Sequence, residues 1–407
     1  MPVYLDHAAT SPMPPEVIAA YVEALGVVGN PASIHSQGQN AKRMLEEARE
    51  QVAASVGADS VEVTFTGGGT EAVNLGIKGL WWARVSAPST VPSTGSATVP
   101  AAARRRILVP MGEHHATIDT VEWLEKHEGA VVDWLPIDGL GRIDLAALEA
   151  ALGDDVALVT VLSANNEVGT IQPVAEIAAL AAAHGVPVHV DAIAGYGYEP
   201  IDFHALGVAA LSISAHKIGG PVGIGALVIA RSATIVPLFH GGNQQRARSG
   251  TQDVAGAVAF GLAAAGATAA LEQHAADLRV LRDRLVTGVR AAVPTAILRG
   301  DPTPAGRLPG NAHFTFPGCE GDSLLFLLDV AGFSVSTGSA CQAGVPEASH
   351  VLTAMGLSEA DARGALRMTL GTHTTAEEVD ALVAALPDAV ARAGRAGLAE
   401  REPTFGR

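Results

Sequence analysis

Short apolar runs alternate with helical patterns from residue 61 to residue 229. Each run is short enough for a buried strand, and each stretch between two runs repeats its apolar residues at helical spacing. This alternation predicts a mainly parallel sheet with helices on both faces. The predicted strands are residues 61–65, 107–110, 131–135, 156–162, 186–190, 211–214 and 226–229, and the predicted helices are 72–84, 116–127, 145–152 and 175–184.

The pattern changes after residue 253. Residues 254–271 contain no charged side chain but few large apolar ones, so we expect a buried helix that links two domains rather than a membrane span. Two helices, 272–292 and 376–393, then bracket short strands at 312–316, 334–336 and 367–370. We therefore predict a large domain over 16–258 and a smaller α+β domain over 1–15 and 259–407. Residues 85–103, rich in Pro, Ser and Thr, are expected to form a surface insertion.

Composition narrows the function classes. The formal net charge of -16 argues against a nucleic-acid-binding surface. The two cysteines, Cys319 and Cys341, are too few for a disulfide framework or a four-cysteine metal site. No secretory signal is visible at the amino terminus, and we expect a cytoplasmic protein that does not bind membranes.

Lys217 and Asp191 are the strongest candidates for chemistry. Asp191 follows one predicted buried strand, and Lys217 follows the next one, just before two glycines. Ligands bind at the carboxyl ends of such strands, where a partly desolvated lysine can form a Schiff base with a cofactor. Pyridoxal phosphate also needs an acid beside its ring nitrogen. The alternatives are an ordinary surface lysine and an aspartate that caps the next turn.

A glycine-rich turn precedes the predicted helix 72–84. Gly69 and Thr70 lie where glycine permits close backbone approach and a helix start offers N–H groups to a phosphate. A plain helix cap at Thr70 is the alternative.

Eight segments together resemble one family. They are YLDHAAT (4–10), GNPAS (29–33), FTGGGTE (65–71), EHH (113–115), NNEVG (165–169), SAHK (214–217), RSGT (248–251) and STGSAC (336–341). With these segments in this order, the chain resembles the cysteine desulfurases of the NifS/IscS type, in the class V branch of fold-type I pyridoxal phosphate enzymes. The resemblance implies the α/β fold of that type, with a large seven-stranded sheet domain and a small α+β domain.

The resemblance also implies roles for individual residues. The implied catalytic residues are Lys217, Cys341 and His114, which stacks on the cofactor ring and carries protons. The implied cofactor-binding residues are Gly69, Thr70, His114, Asn166, Asp191, Ser214, His216, Lys217 and Thr251. Thr251 would act from the neighbouring subunit, which implies a homodimer. The implied substrate-binding residues are Asn30, Asn166 and Arg367.

Three of these roles have alternatives. A lone histidine such as His114 is more often structural than catalytic, and the neighbouring His115 is the second candidate for its role. Arg367 lies in a predicted strand, and a buried arginine is also satisfied by an internal salt bridge. Cys341 lies among small residues that predict a mobile loop, as a cysteine that delivers sulfur requires. Cys319 is interpreted as structural.

Three features depart from the family: residues 241–248 are one residue shorter than its glycine-rich version, Gln342 replaces a common threonine, and Ala194 replaces a glutamine. The segment that begins at Asp191 has Ala194 where the family has a glutamine that donates to the cofactor. The leading hypothesis is an L-cysteine desulfurase. It would release L-alanine and pass a Cys341 persulfide to an acceptor or scaffold protein, for Fe–S cluster assembly or another thio-cofactor or thio-metabolite. Ala194 favours the alternative of a diverged pyridoxal phosphate lyase or transferase. A non-enzymatic sulfur-transfer scaffold is a third hypothesis, which Lys217 and Cys341 argue against.

Overall fold

The computed structural model describes residues 2–86, 104–338 and 348–399. The predicted insertion lies almost wholly outside these residues, and so does Cys341 with its predicted loop. The strands are β1 (Val3–Tyr4), β2 (Val63–Thr66), β3 (Arg106–Pro110), β4 (Val131–Leu135), β5 (Val156–Leu162), β6 (Val188–Asp191), β7 (Ala210–Ser214), β8 (Gly225–Ile229), β9 (Ile297–Arg299), β10 (Asn311–Thr315), β11 (Phe333–Ser334) and β12 (Ala365–Thr369).

The helices connect these strands in the alternating way that the sequence predicts. They are α1 (Pro15–Leu25), α2 (Ser36–Ser55), α3 (Gly69–Ser86), α4 (His115–Glu128), α5 (Leu145–Ala151), α6 (Val174–Ala183), α7 (Phe203–Leu206), α8 (Val254–Ala292), α9 (Gly321–Val330), α10 (His350–Ala354), α11 (Glu359–Arg363) and α12 (Ala376–Ala399).

The central sheet has seven strands in the order β2-β8-β7-β6-β5-β3-β4. Strands β3 to β7 pair in parallel, and β8 runs antiparallel to both of its neighbours. Every residue of β5 is buried, as expected for a strand covered on both faces. Apolar clusters fill both faces: α2, α6 and α8 cover one, and α3 and α4 cover the other. The predicted mainly parallel α/β fold is confirmed.

A second sheet has the order β12-β10-β9 and is antiparallel. One of its faces is apolar and packs with α8, α9 and α12 around Phe314, Leu366 and Met368. The other face carries Asn311, His313 and Thr315, all buried. Strand β1 pairs with β11, so the amino terminus joins this carboxyl-terminal unit.

Several boundaries differ from the sequence-based ones. Strand β2 begins at Val63 because Glu62 accepts a hydrogen bond from the Asp59 amide and closes a 3-10 turn over residues 60–62. Strand β6 begins only after Pro187, which lacks an N–H group for the ladder, and it includes Asp191.

Helix α8 runs without a break from Val254 to Ala292, whereas we predicted two helices. Residues 269–273 are Ala, Ala, Leu, Glu and Gln, all good helix formers, so the first charged residue marks a change of surroundings and not a helix end. The helix is long and apolar enough to cross a membrane, and 44% of its most apolar window is buried inside the protein. Core helices of globular proteins share this composition. The domain boundary at residue 258 stays a prediction.

Candidate active site

Lys217 lies directly after β7, at the end of a short 3-10 turn that begins at Ala215. Its Nζ atom donates to the backbone carbonyl of Ala8 and, at 3.0 Å, to that of Ala9. The amino-terminal segment therefore meets the lysine at the carboxyl end of the central sheet. This edge is where α/β sheets place their ligands.

Asp191 ends the neighbouring strand β6 and lies opposite Ser212 of β7. Its side chain is 5% exposed, and Oδ1 accepts a hydrogen bond of 3.0 Å from the amide of Ile193. Burial raises the pKa of Asp191 to about 6, although that amide and the charge of Lys217 act in the opposite direction. The two predicted residues thus occupy adjacent strand ends and interact electrostatically.

His189 supports this strand end from inside the sheet. Its Nδ1 lies 2.9 Å from the hydroxyl of Thr160 on β5, and its Nε2 lies 2.8 Å from the hydroxyl of Ser212 on β7. Burial lowers the pKa of His189 to about 3, so the ring is neutral. Sequence reasoning missed this residue. Its spacing of two from Asp191, which puts both side chains on one face of the strand, was the available signal.

Gly69 begins α3 against the end of β7. A Cβ atom at Gly69 would lie 2.4 Å from Cδ1 of Ile193 and 3.2 Å from Cβ of Ser214, so only glycine lets the helix start approach this closely. The next residue, Thr70, is exposed. The structure thus brings Gly69 and Ser214 together beside free N–H groups of a helix start, an arrangement that suits a phosphate.

His216 adds a further donor at this edge. Its Nδ1 atom is buried and has no hydrogen-bond partner among the described residues. Burial and the charge of Lys217 lower the pKa of His216 to about 4, which leaves a neutral ring with one N–H group to donate. An unpartnered buried ring nitrogen, a glycine that permits close approach and a buried acid together fit pyridoxal phosphate.

Thr251 is exposed in the single chain. Three residues before it, Arg248 donates to Glu71 over 2.9 Å, and Glu71 also accepts a hydrogen bond from the amide of Gly67. This ion pair fastens the segment before Thr251 to the glycine-rich turn. Sequence reasoning assigned no role to Glu71 or Arg248.

His114 is the N-cap of α4. Its Nδ1 atom accepts a hydrogen bond of 3.0 Å from the amide of Ala116, so the proton of the neutral ring is on Nε2. Burial and the charge of Lys217 lower the pKa of His114 to about 4. The ring is therefore uncharged at neutral pH.

Glu113 is a second buried acid at this edge, and sequence reasoning gave it no role. Its Oε1 atom accepts a hydrogen bond of 2.8 Å from the amide of Leu162, and Leu162 lies opposite Asp191 on the neighbouring strand. Burial raises the pKa of Glu113 well above its usual range, and the charge of Asp191 adds to the effect.

Arg367, on β12, is 3% exposed, and its guanidinium has two hydrogen-bond partners among the described residues. Its Nη2 donates to Asp6 and its Nη1 donates to the backbone carbonyl of Asn166, each over 2.8 Å. The internal salt bridge that we weighed as the alternative is therefore present. Arg367 also lies beside Asn166, one of the predicted ligands of the substrate. The turn that contains Asn166 is held by hydrogen bonds from the amides of Glu167 and Val168 to the side chain of Asn165.

A cavity next to Lys217 collects several of the predicted residues. Asn166, Ala194, Tyr198 and His7 line it together with Lys217. Ala194 therefore faces the same space as the lysine. Asn30 is not among the described residues that line this cavity. It is exposed, and its side chain accepts a hydrogen bond from the amide of Ala32 instead.

Of the two cysteines, only Cys319 is among the residues that the structure describes. Cys341 lies outside the described residues. Cys319 is 4% exposed, donates to the carbonyl of Val390 over 3.6 Å, and has a pKa raised by burial. These surroundings are typical of an inert, structural thiol.

Comparison with known proteins agrees with this geometry. The model of the family "Aminotransferase class-V" matches residues 3–382. The chain belongs to this family. Within the class-V aminotransferases, the chain is 53% identical over 400 residues to a protein of Mycobacterium tuberculosis named "IscS-like cysteine desulfurase", and the match covers 97% of this chain and 98% of that one.

Solved structures give the same picture. A "NifS-like protein" aligns with a TM-score of 0.85 at 33% identity, covering 96% of this chain and all of that one (100%). A structure titled "SspA in complex with cysteine" aligns with a TM-score of 0.75 at 29% identity, over 92% of this chain and 100% of that one. The chain is thus a class-V aminotransferase of the NifS/IscS cysteine desulfurase type, as the eight sequence segments predicted.

Proposed function

We propose that this protein is a pyridoxal phosphate-dependent L-cysteine desulfurase. It removes sulfur from L-cysteine, releases L-alanine and holds the sulfur as a persulfide on Cys341. The observation that carries the proposal is the pairing of Lys217 and Asp191 at adjacent strand ends, in a chain that is 53% identical to an IscS-like cysteine desulfurase.

The described residues divide the binding of the cofactor among them. Asp191 would hold the ring nitrogen, and Lys217 would hold the cofactor covalently. The start of α3 at Gly69 and Thr70, together with Ser214 and His216, would hold the phosphate. When bound, the cofactor supplies an electron sink for the pair released at the α-carbon of the substrate.

Side chains and backbone carbonyls of the protein set the protonation of His114 and the orientation of Lys217. His114 is neutral at pH 7 with its proton on Nε2, so it can stack without adding positive charge. Lys217 lies between the backbone carbonyls of Ala8 and Ala9, which orient its Nζ atom. Asp191 lies next to that cation, whose charge favours the ionised form of the carboxyl group.

Arg367 and Asn166 are proposed to bind the carboxylate of the substrate. A guanidinium has five N–H groups, and Asp6 and the carbonyl of Asn166 engage two of them. Among the described residues no other group bonds to either Nη atom, so each keeps one N–H group for a carboxylate, which an arginine binds well in a bidentate way.

Sulfur transfer is proposed to occur at Cys341. Its thiolate attacks the sulfur of the substrate, the new S–S bond forms as the C–S bond breaks, and the electron pair stays with carbon. That carbon takes up a proton and becomes the methyl group of L-alanine. The persulfide then passes to an acceptor or scaffold protein. We further propose a cytoplasmic homodimer in which the exposed Thr251 serves the partner subunit.

The deciding experiment is incubation of the purified protein with L-cysteine and a reductant, with alanine, sulfide and pyruvate all measured. We expect alanine and sulfide in equal amounts. Cys341→Ser should stop both, and the matched change Cys319→Ser should leave both intact, since Cys319 is buried and bonded to Val390.

The alternative of a diverged lyase rests on Ala194, which lines the cavity beside Lys217 without a polar group. A lyase that eliminates the sulfur would release pyruvate, ammonia and sulfide instead of alanine. Sulfide with pyruvate, undiminished in Cys341→Ser, would establish that reaction and overturn the desulfurase proposal.

A further inference from the structure

His313 occupies the centre of the buried polar face of the second sheet. It lies on β10, directly opposite Arg367 on β12 and Arg299 on β9. Directly opposed residues of antiparallel strands point to the same face, with Cβ atoms about 4.5–5.5 Å apart. The histidine ring is thus flanked by two guanidinium groups, one of which is the proposed carboxylate ligand.

The other polar groups on this face have identified partners. Asn311 donates to the carbonyl of Glu167 over 3.0 Å, and Arg299 donates to the hydroxyl of Thr315 over 2.8 Å. His313, which is 0% exposed, differs from them. Neither of its ring nitrogens has a hydrogen-bond partner among the described residues, and the same holds for the Nε atom of Arg367.

Burial and nearby positive charges keep the ring of His313 neutral. Burial lowers its pKa to about 3, and the positive charges of Arg367, Arg307 and Arg299 act in the same direction. A neutral imidazole has one nitrogen that accepts a hydrogen bond. Leaving a buried donor such as the Nε–H group of Arg367 without an acceptor is costly, so the two groups complement each other.

We propose that His313 is a positioning residue for substrate binding: its neutral ring supplies the acceptor for the Nε–H group of Arg367 through one bridging water. With Nε engaged by His313, Nη1 by Asn166 and Nη2 by Asp6, the plane of the guanidinium is fixed from three sides. One N–H group on each Nη atom then remains for a carboxylate. The proposal rests on the proposed role of Arg367.

The test compares a ligand that has a carboxylate with one that lacks it. L-alanine and ethylamine differ only by that group, and their dissociation constants can be measured from the cofactor absorbance of the loaded enzyme. We expect the wild-type protein to prefer L-alanine. His313→Leu and His313→Phe should each cut that preference about three- to tenfold, the scale of one ordinary hydrogen bond, with ethylamine binding unchanged.

Two further variants separate positioning from general disturbance of the sheet. His313→Asn keeps an acceptor and should retain most of the preference for L-alanine. Thr315 lies on the same strand and face as His313, and Thr315→Val removes the hydrogen bond that Thr315 accepts from Arg299. This variant should not change the preference for L-alanine. Because two acceptor-free variants are made, failure of one to fold still leaves a decisive measurement.

An unchanged preference in His313→Leu or His313→Phe would overturn the proposal, particularly if the cofactor-free variant resists thermal unfolding better than the wild type. The His313 side chain would then be a buried polar group that costs stability without a function. The proposal would also fall if Arg367→Leu kept the preference for the carboxylate. That result would leave the desulfurase assignment standing, because the alanine and sulfide assay tests it separately.

Discussion

Asp6 and Arg367 form an ion pair of 2.8 Å between two segments that are 361 residues apart in the chain. Asp6 lies after β1 and next to Ala8, whose carbonyl receives the Lys217 ammonium group. The same short segment therefore orients the proposed cofactor lysine and the proposed substrate arginine. One piece of chain connects two functions that the sequence assigns to distant motifs.

Replacing Arg367 should damage catalysis more than cofactor binding. Arg367→Leu removes the proposed carboxylate ligand and leaves Asp6 unpaired, so kcat/KM for L-cysteine should fall by an amount equivalent to about 2–5 kcal/mol. Asp6→Asn keeps the arginine and should cost less. Steady-state kinetics with cofactor absorbance as a control measures both. Weaker cofactor binding, with normal kinetics in the enzyme that remains loaded, would identify a purely structural salt bridge.

Asp191 should make the stability of the cofactor-free protein depend on pH. Its native pKa of about 6 lies above the usual 3.8, so the native state holds an extra proton between those values. Stability from this group is therefore present below about pH 4 and lost as pH rises to 6. Asp191→Asn should be more stable than the parent at pH 7.5 by about 1–3 kcal/mol, and the gap should narrow towards pH 5.

Urea unfolding of both cofactor-free proteins at pH 5, 6 and 7.5 tests this expectation. The asparagine oxygen still accepts the hydrogen bond from Ile193, so the change isolates the charge. In the loaded enzyme the same variant should lose turnover. A stability difference that is constant over this pH range would contradict the raised pKa of Asp191.

His114 should have two separable roles. As the N-cap of α4, it accepts from the amide of Ala116, and loss of a cap costs about 0.5–2 kcal/mol of stability. His114→Ala should therefore lose both stability and turnover. His114→Asn restores a capping oxygen without a ring, so its thermal stability should recover while its turnover stays low. Full turnover in His114→Asn would show that the residue only caps the helix.

Ala194 should control how tightly the Lys217–cofactor linkage holds its proton. Ala194→Gln puts an amide donor into the cavity that Lys217 lines. If that donor takes up charge from the phenolic oxygen of the cofactor, the absorbance transition should move to lower pH by about one to two units at most. Ala194→Met, of similar shape and without a donor, is the control. Superimposable titrations of Ala194→Gln and Ala194→Met would remove any mechanistic meaning from the alanine.

The sequence predicts the site residues that come directly at the end of a strand. Asp191 and Lys217 come at the ends of buried apolar runs, and parallel strands bring such ends to one edge. Gly69 is similarly marked by the helix that follows it. Local pattern and strand order together were sufficient for these residues.

The parts that could not be predicted depend on pairs of distant residues. Nothing near His313 in the sequence indicates that Arg367 lies opposite it, because that neighbourhood is created by the pairing of β10 with β12. The pairing of Asp6 with Arg367 has the same origin. The placement of Asn30 away from the cavity, and the exposure of Thr251, likewise depend on tertiary structure, and their predicted roles stay predictions.

The unbroken course of α8 has a mechanical consequence. An α-helix of 39 residues is about 58 Å long, and this one packs against the cores of both sheets. The helix has no break between residues 258 and 259, and a sharp bend there would disrupt main-chain hydrogen bonds. A rotation of one apolar core against the other would therefore have to bend this helix.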